Sequence, residues 1–164
     1  MKKLDRKYKV GILVIILIIL EQLTKIALLM NKDKLPITVI NNVLNFSYVE
    51  NSGAAFGIKV GSVWTFVLVN IVILGIIIKF IHCQMSKLNN KIVVILSLVL
   101  AGGISNLIDR IFRGYVVDFI DITPIVNFPL FNFADIMIVV AVILFAVIVI
   151  KNTIMDNRKE TKNG

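Results

Sequence analysis

Cysteine and histidine are nearly absent: the 164 residues include one of each, adjacent at His82-Cys83. A lone cysteine excludes a disulfide framework within the chain, and one His-Cys pair is too few ligands for a zinc site. No metal and no cofactor are therefore expected. A serine or cysteine peptidase would have only His82 as its base. Proline is scarce, with 3 in the chain, and 10 acidic residues face 18 basic ones. Apolar residues are in excess, at 58% and a mean hydropathy of +0.92. A soluble fold of this length could not bury so much apolar surface. Lipid as solvent removes the difficulty.

Four apolar segments have the roughly 20 residues a helix needs to cross about 30 Å of hydrocarbon. They are 10–30, 62–81, 92–112 and 130–150, the third reaching full length only by continuing through "DRIF". Ile and Val dominate them, which in water would favour strands. In lipid an open strand leaves its backbone unpaired, so helices are predicted. The opening "MKKLDRKYK" resembles the basic region of a signal peptide, but no small-x-small cleavage site follows and three more spans do.

Residues 1–9, 79–91 and 151–164 hold twelve Lys and Arg in 36 positions, whereas 31–61 and 109–130 hold five in 53. The positive-inside rule places both termini in the cytoplasm and the outer loops, 31–61 and 113–129, outside. That clustering accounts for the +8 net charge and weakens a nucleic-acid reading. It also puts His82 on the inner side. The expected architecture is an all-α membrane protein, one membrane domain over 1–164, with a solvated tail at 151–164. "PITVINNVLNFSYVEN" suggests short strands in the first outer loop, on the outer surface. Three glycines in "SGAAFGIKVG" allow close backbone approach.

Ionisable groups near bilayer depth cost about 2.5–3.5 kcal/mol each on insertion scales and usually face a bundle interior. Here they are Glu21, Lys25, Asp109, Arg110, Asp118 and Asp135, with Asn106 and Asn132 beside them. Gly102, Asn106, Asp109/Arg110 and Arg113 recur at helical spacing and share a face. A structural alternative is helix packing through Gly102-Gly103, with Asp109 and Arg110 at the water interface. Glu21 and Lys25, four apart, suit an ion pair fixing the bundle. Asn132 and Asp135 suit a helix start, as N-cap and N3 of a capping box. That does not explain Asp118, 17 residues earlier.

Two aspartates that converge at a membrane surface can hydrolyse a peptide bond. Like charges resist double ionisation, so the pair holds one proton near neutral pH. One carboxylate takes a proton from water while the other hydrogen-bonds to or protonates the substrate carbonyl. A helix start favours Asp135 as the ionised member. A proton- or ion-coupled transporter is the competing expectation. Against it, the acids gather near one face, and two hairpins of equal orientation give no inverted repeat.

"EQLTK", "ENSGAAFG", "GGISNLIDR", "VVDF" and "FNFAD", in that order over nearly the whole chain, resemble the bacterial signal peptidase II family. The resemblance implies four spans and an aspartyl endopeptidase in the inner membrane, its site near the outer face. The implied substrate is a prolipoprotein whose cysteine already carries diacylglyceryl, cut just before that cysteine. Membrane lipids are implied partners, and a monomer is expected. The catalytic aspartates match Asp118 and Asp135. Asn51, Gly53, Asn106, Arg110 and Asn132 match polar or small positions lining the site, with Asp109 and Glu21 in support. The loop 31–61 matches the strand-rich platform that cradles substrate. Glu21 stands where the family commonly has Asp, Ser105 where Gly precedes the Asn, and Ile136 where Ser follows the second Asp.

Overall fold

A computed structural model describes residues 5–53 and 62–163. Helices span Arg6–Met30 (α1), Val63–Gln84 (α2), Asn90–Arg113 (α3) and Phe133–Asn163 (α4), with strands at Ile37–Ile40 (β1), Leu44–Asn51 (β2) and Val116–Asp121 (β3). All four helices are long and apolar enough to cross a membrane. Even the shortest, at 22 residues, extends about 33 Å at 1.5 Å per residue. Large apolar side chains such as Ile15, Ile19, Leu68 and Val142 are exposed on their outer faces. That pattern suits lipid as the surrounding solvent.

The bundle is organised around α3, which packs against the other three helices and has the largest buried share. Small residues permit this. A Cβ on Gly102 would overlap the Ala134 carbonyl oxygen of α4, and one on Gly103 would come within 2.8 Å of Leu74 in α2. The Gly102-Gly103 pair thus sets two helix contacts at once, as helix packing in lipid favours. α3 ends at Gly114, whose left-handed φ of 80° lets its N–H cap the Arg110 carbonyl.

The short strands expected in the first outer loop form as β1 and β2. A third, β3, comes from the second outer connection, where no strand was expected. The antiparallel order is β1-β2-β3, with Val49 opposite Asp118 and Asn51 opposite Val116. All six β3 residues are buried. Phe119 packs edge-on against Phe46 and Phe133, at ring distances of 5.9 and 5.3 Å. Phe131 closes the free side of β3 by exchanging backbone hydrogen bonds with Ile120. Asp118 is thereby held on a strand anchored on both edges.

α1 begins at Arg6 and α2 runs on to Gln84, a few residues beyond the expected spans, and both ends of α4 also differ. α4 starts at Phe133 rather than 130, because Asn132 caps it. It continues to Asn163 rather than ending near 150, since "KNTIMDNRKETKN" contains no Pro or Gly to stop a helix. Of the three expected glycines, Gly57 and Gly61 lie outside the described residues. Gly53 shows the close approach: φ is +134° and a Cβ would meet the Phe66 ring at 2.6 Å.

Candidate active site

The start of α4 is a reciprocal capping box. Asn132 Oδ1 accepts from the Asp135 N–H at 3.0 Å, and Asp135 Oδ2 accepts from the Asn132 N–H at 3.1 Å. This uses half of each side chain. The other half faces Asp118 and α3. Asn132 Nδ2 donates to Asp118 Oδ1 at 2.6 Å and to Asn106 Oδ1 at 3.2 Å. Asp135 Oδ1 accepts from Asn106 Nδ2 at 2.8 Å. The capping contacts of Asn132 and Asp135 and their contacts to Asp118 and α3 thus use different atoms.

Asn51 closes the arrangement from β2. Its Nδ2 donates to Asp118 Oδ2 at 2.8 Å, and its Oδ1 accepts from the Gly53 N–H at 3.1 Å. Asp118, Asp135, Asn51, Gly53 and Arg110 line one cavity of about 480 Å³, whose remaining wall is apolar. Ile136 belongs to that wall, so the departure there makes the cavity more apolar. Arg110 sits over the Phe66 ring at 5.7 Å. Burial pushes the Asp118 carboxyl up to about 6, the charge of Asp135 adds to the rise, and donation from Asn51 and Asn132 opposes it.

Asp109 and Glu21 do not line this cavity. Asp109 is fully buried rather than at the water interface, and it joins three elements. It accepts from Lys25 Nζ at 2.8 Å, Gln22 Nε2 at 3.1 Å and the Val117 N–H at 3.2 Å, and it pairs with Arg113. Glu21 pairs with Lys25 at 3.2 Å, so the ion pair expected from the spacing forms. Ser105 accepts from Gln22 through its Oγ at 2.9 Å. The hydroxyl that replaces glycine thus gains a partner on α1.

Asp121, a further acid between Asp118 and Asp135 in the sequence, is occupied elsewhere. It accepts from the Thr123 hydroxyl and N–H and from Ser47 Oγ. The Thr123 hydroxyl holds its carboxyl below the usual range. Sequence reasoning passed over Gln22 and Asn70. Asn70, a polar residue inside the apolar run of α2, lines a smaller cavity with Asn106, Arg110 and Asp135. Its polarity within a span was the available signal.

Four spanning helices with a small sheet packed at one end define a polytopic membrane protein, and the solved structures it resembles are bacterial membrane enzymes. One, determined by the in meso method at 2.3 Å resolution, matches with a TM-score of 0.80 and 32% identity, over 93% of this chain and 94% of its own. A second, at 1.9 Å, matches with a TM-score of 0.79 over 92% and 98%. The model of the signal peptidase (SPase) II family matches residues 13–151, and the chain belongs to that family. The lipoprotein signal peptidase of Shouchella clausii is 39% identical over 155 residues, covering 93% of this chain and 97% of the relative. That of Staphylococcus aureus strain JH9 is 36% identical over 165 residues, covering 97% and 100%. Membership makes the chain a peptidase and disfavours the transporter alternative.

Proposed function

We propose that the protein is an intramembrane aspartyl endopeptidase that removes the signal peptide from prolipoproteins carrying diacylglyceryl on the cysteine after the cut. Asp118 and Asp135 are its catalytic pair. Its relatives bear the name lipoprotein signal peptidase, which supports the substrate class. The observation that carries the mechanism is the pair's setting: two carboxylates from separate elements face one cavity, each gripped by asparagine amides.

The pair holds one proton and titrates as a unit. Asp118, its carboxyl pushed up to about 6 by burial, holds that proton. Asp135, accepting from a helix-start N–H and from Asn106, is the ionised partner. Water attacks the scissile carbonyl carbon as Asp135 takes its proton, and Asp118 gives its own to the carbonyl oxygen. The tetrahedral diol then collapses: the C–N bond breaks, the cysteine nitrogen takes the proton from Asp135, and a diol hydroxyl returns one to Asp118. Asn51, Gly53, Asn106, Arg110 and Asn132 contact the substrate backbone or hold the aspartates, with Asp109 and Glu21 behind them. The charge asymmetry supports cytoplasmic termini, which puts the sheet end at the outer face. There a lipid-anchored cysteine holds its scissile bond near the pair, and the anchor supplies binding energy outside the reacting bond. The enzyme acts as a monomer among membrane lipids.

The test is cleavage of a diacylglyceryl-modified precursor by purified protein, with an unlipidated control. Asp118→Asn and Asp135→Asn each insert and fold but lose cleavage. Cleavage retained by either refutes the pair, and equal cleavage of both precursors refutes lipid selection.

A further inference from the structure

Lys25 is fully buried within a membrane-spanning helix, and its contacts go beyond the expected pair with Glu21. Its ammonium donates to Asn106 Oδ1 at 2.9 Å and to Asp109 Oδ2 at 2.8 Å, besides the 3.2 Å contact to Glu21. Asn106 in turn donates to Asp135. We propose that Lys25 is a positioning residue for catalysis: it fixes which way the Asn106 amide faces, so that the NH₂ always points at Asp135. The proposal rests on the aspartyl reading above.

The reason is donor–acceptor chemistry. An ammonium has three donors and no acceptor. If the Asn106 amide turned over, its NH₂ would meet the Lys25 ammonium and the Asn132 NH₂, and its oxygen would meet the Asp135 carboxylate. Every contact would become repulsive. With Lys25 present, one orientation is allowed. Without it, the orientation rests on the 3.2 Å bond from Asn132 to the oxygen and the 2.8 Å bond from the NH₂ to Asp135, and the amide oxygen loses its charged donor. Asp109 is itself held by Gln22, Arg113 and the Val117 N–H, which keeps the ammonium on target.

The ammonium also acts through charge. It favours the ionised form of Asp118, offsetting part of what burial does there. The charged groups facing this region are Glu21 on α1, Asp109, Arg110 and Arg113 on α3, Asp118 on β3 and Asp135 on α4. Removing the Lys25 charge lets the pair keep its proton to higher pH.

A double-mutant cycle tests this. It is run in a Glu21→Gln background, so that no acid loses its only cation. Lys25→Met is expected to lower kcat by about 10- to 100-fold, leave KM unchanged, and move the alkaline limb of the pH–rate profile upward. In an Asn106→Ala background the further loss from Lys25→Met is expected to be less than about twofold, because the residue acted through has gone. Losses that multiply, a KM effect alone, or an unmoved pH profile overturn the proposal. So does a kcat equal to the background's. If Lys25→Met does not accumulate as folded protein, Lys25→Gln takes its place. It keeps a donor but adds an acceptor, so it no longer forbids the flip, and the same outcomes decide. Cleavage retained by Asp118→Asn or Asp135→Asn would instead mark failure of the aspartyl reading itself.

Discussion

Asn132 serves the helix with one atom and the aspartate pair with another, so substitution can separate the two duties. Its Oδ1 caps α4 and its Nδ2 donates to Asp118 at 2.6 Å. Serine keeps a cap acceptor but is too short to reach Asp118, and alanine removes both. The difference in unfolding free energy between Asn132→Ser and Asn132→Ala therefore isolates the cap, at about 1 kcal/mol. Both lose the donor to a carboxylate, which contributes about 1.5–3 kcal/mol, or roughly 10- to 150-fold in rate if it acts in the transition state. The two variants should thus differ in stability yet cleave equally poorly. Asn132→Asp keeps cap and shape but sets an oxygen against Asp118 where the amide nitrogen was, so it should cleave more slowly still near neutral pH. The assay is thermal unfolding in detergent beside kcat/KM on lipidated precursor. If cleavage follows stability, with serine near the parent and alanine far below, Asn132 is only a cap.

Asn51→Leu removes the donor to the other Asp118 oxygen. A donor to the ionised form holds a carboxyl down, so its loss raises a group already near 6 by about one to two pH units. The proton then leaves at higher pH, and the alkaline limb of the pH–rate profile should move up by that amount; a limb that stays or moves down contradicts the assignment of the proton to Asp118. Gly102→Leu would drive a side chain into the Ala134 carbonyl, at about 1–3 kcal/mol of overpacking, and part Asn106 from Asp135. Unfolding at lower temperature and slowed cleavage are both expected, and an unchanged melting profile would show that α3 and α4 can separate freely there.

How much could be read from the chain depended on the range of the interaction. The spans were legible because lipid demands long apolar runs whatever their local propensity. The Asn132 cap of α4 was legible because a capping box is complete within four residues, whereas the apolar run alone put the start of the span at 130. β3 was not, since "VVDFID" pairs with β2 more than sixty residues away, and nothing local separates it from a connecting loop. Lys25 shows the same limit. Its spacing from Glu21 points to the i,i+4 partner, which it has. The contacts to Asn106 and Asp109 span 81 and 84 residues and depend on how α1 crosses α3. Motif order pointed to Asp118 and Asp135 together, and the two do line one cavity. Nothing in their spacing foretold that asparagines would join them.

The choice of asparagine has a physical reason. A cation in direct contact with a carboxylate lowers its pKa by about one to three units, which would ionise both members and leave no shared proton. An apolar wall alone would leave the acids unoriented and favour protonation of both. Amides give direction without charge. Among the described residues no ion pair engages Asp118 or Asp135; the pairs formed are Lys25 with Glu21 and Asp109, and Arg113 with Asp109. Lys25 acts on the pair across one intervening amide. In the proposed mechanism the positive charge is near enough to favour ionisation and, with no direct bond to either acid, not so near that it strips both of their protons. In the proposed mechanism, that gradation from cation through amide to acid is what lets the buried pair hold one proton near neutral pH.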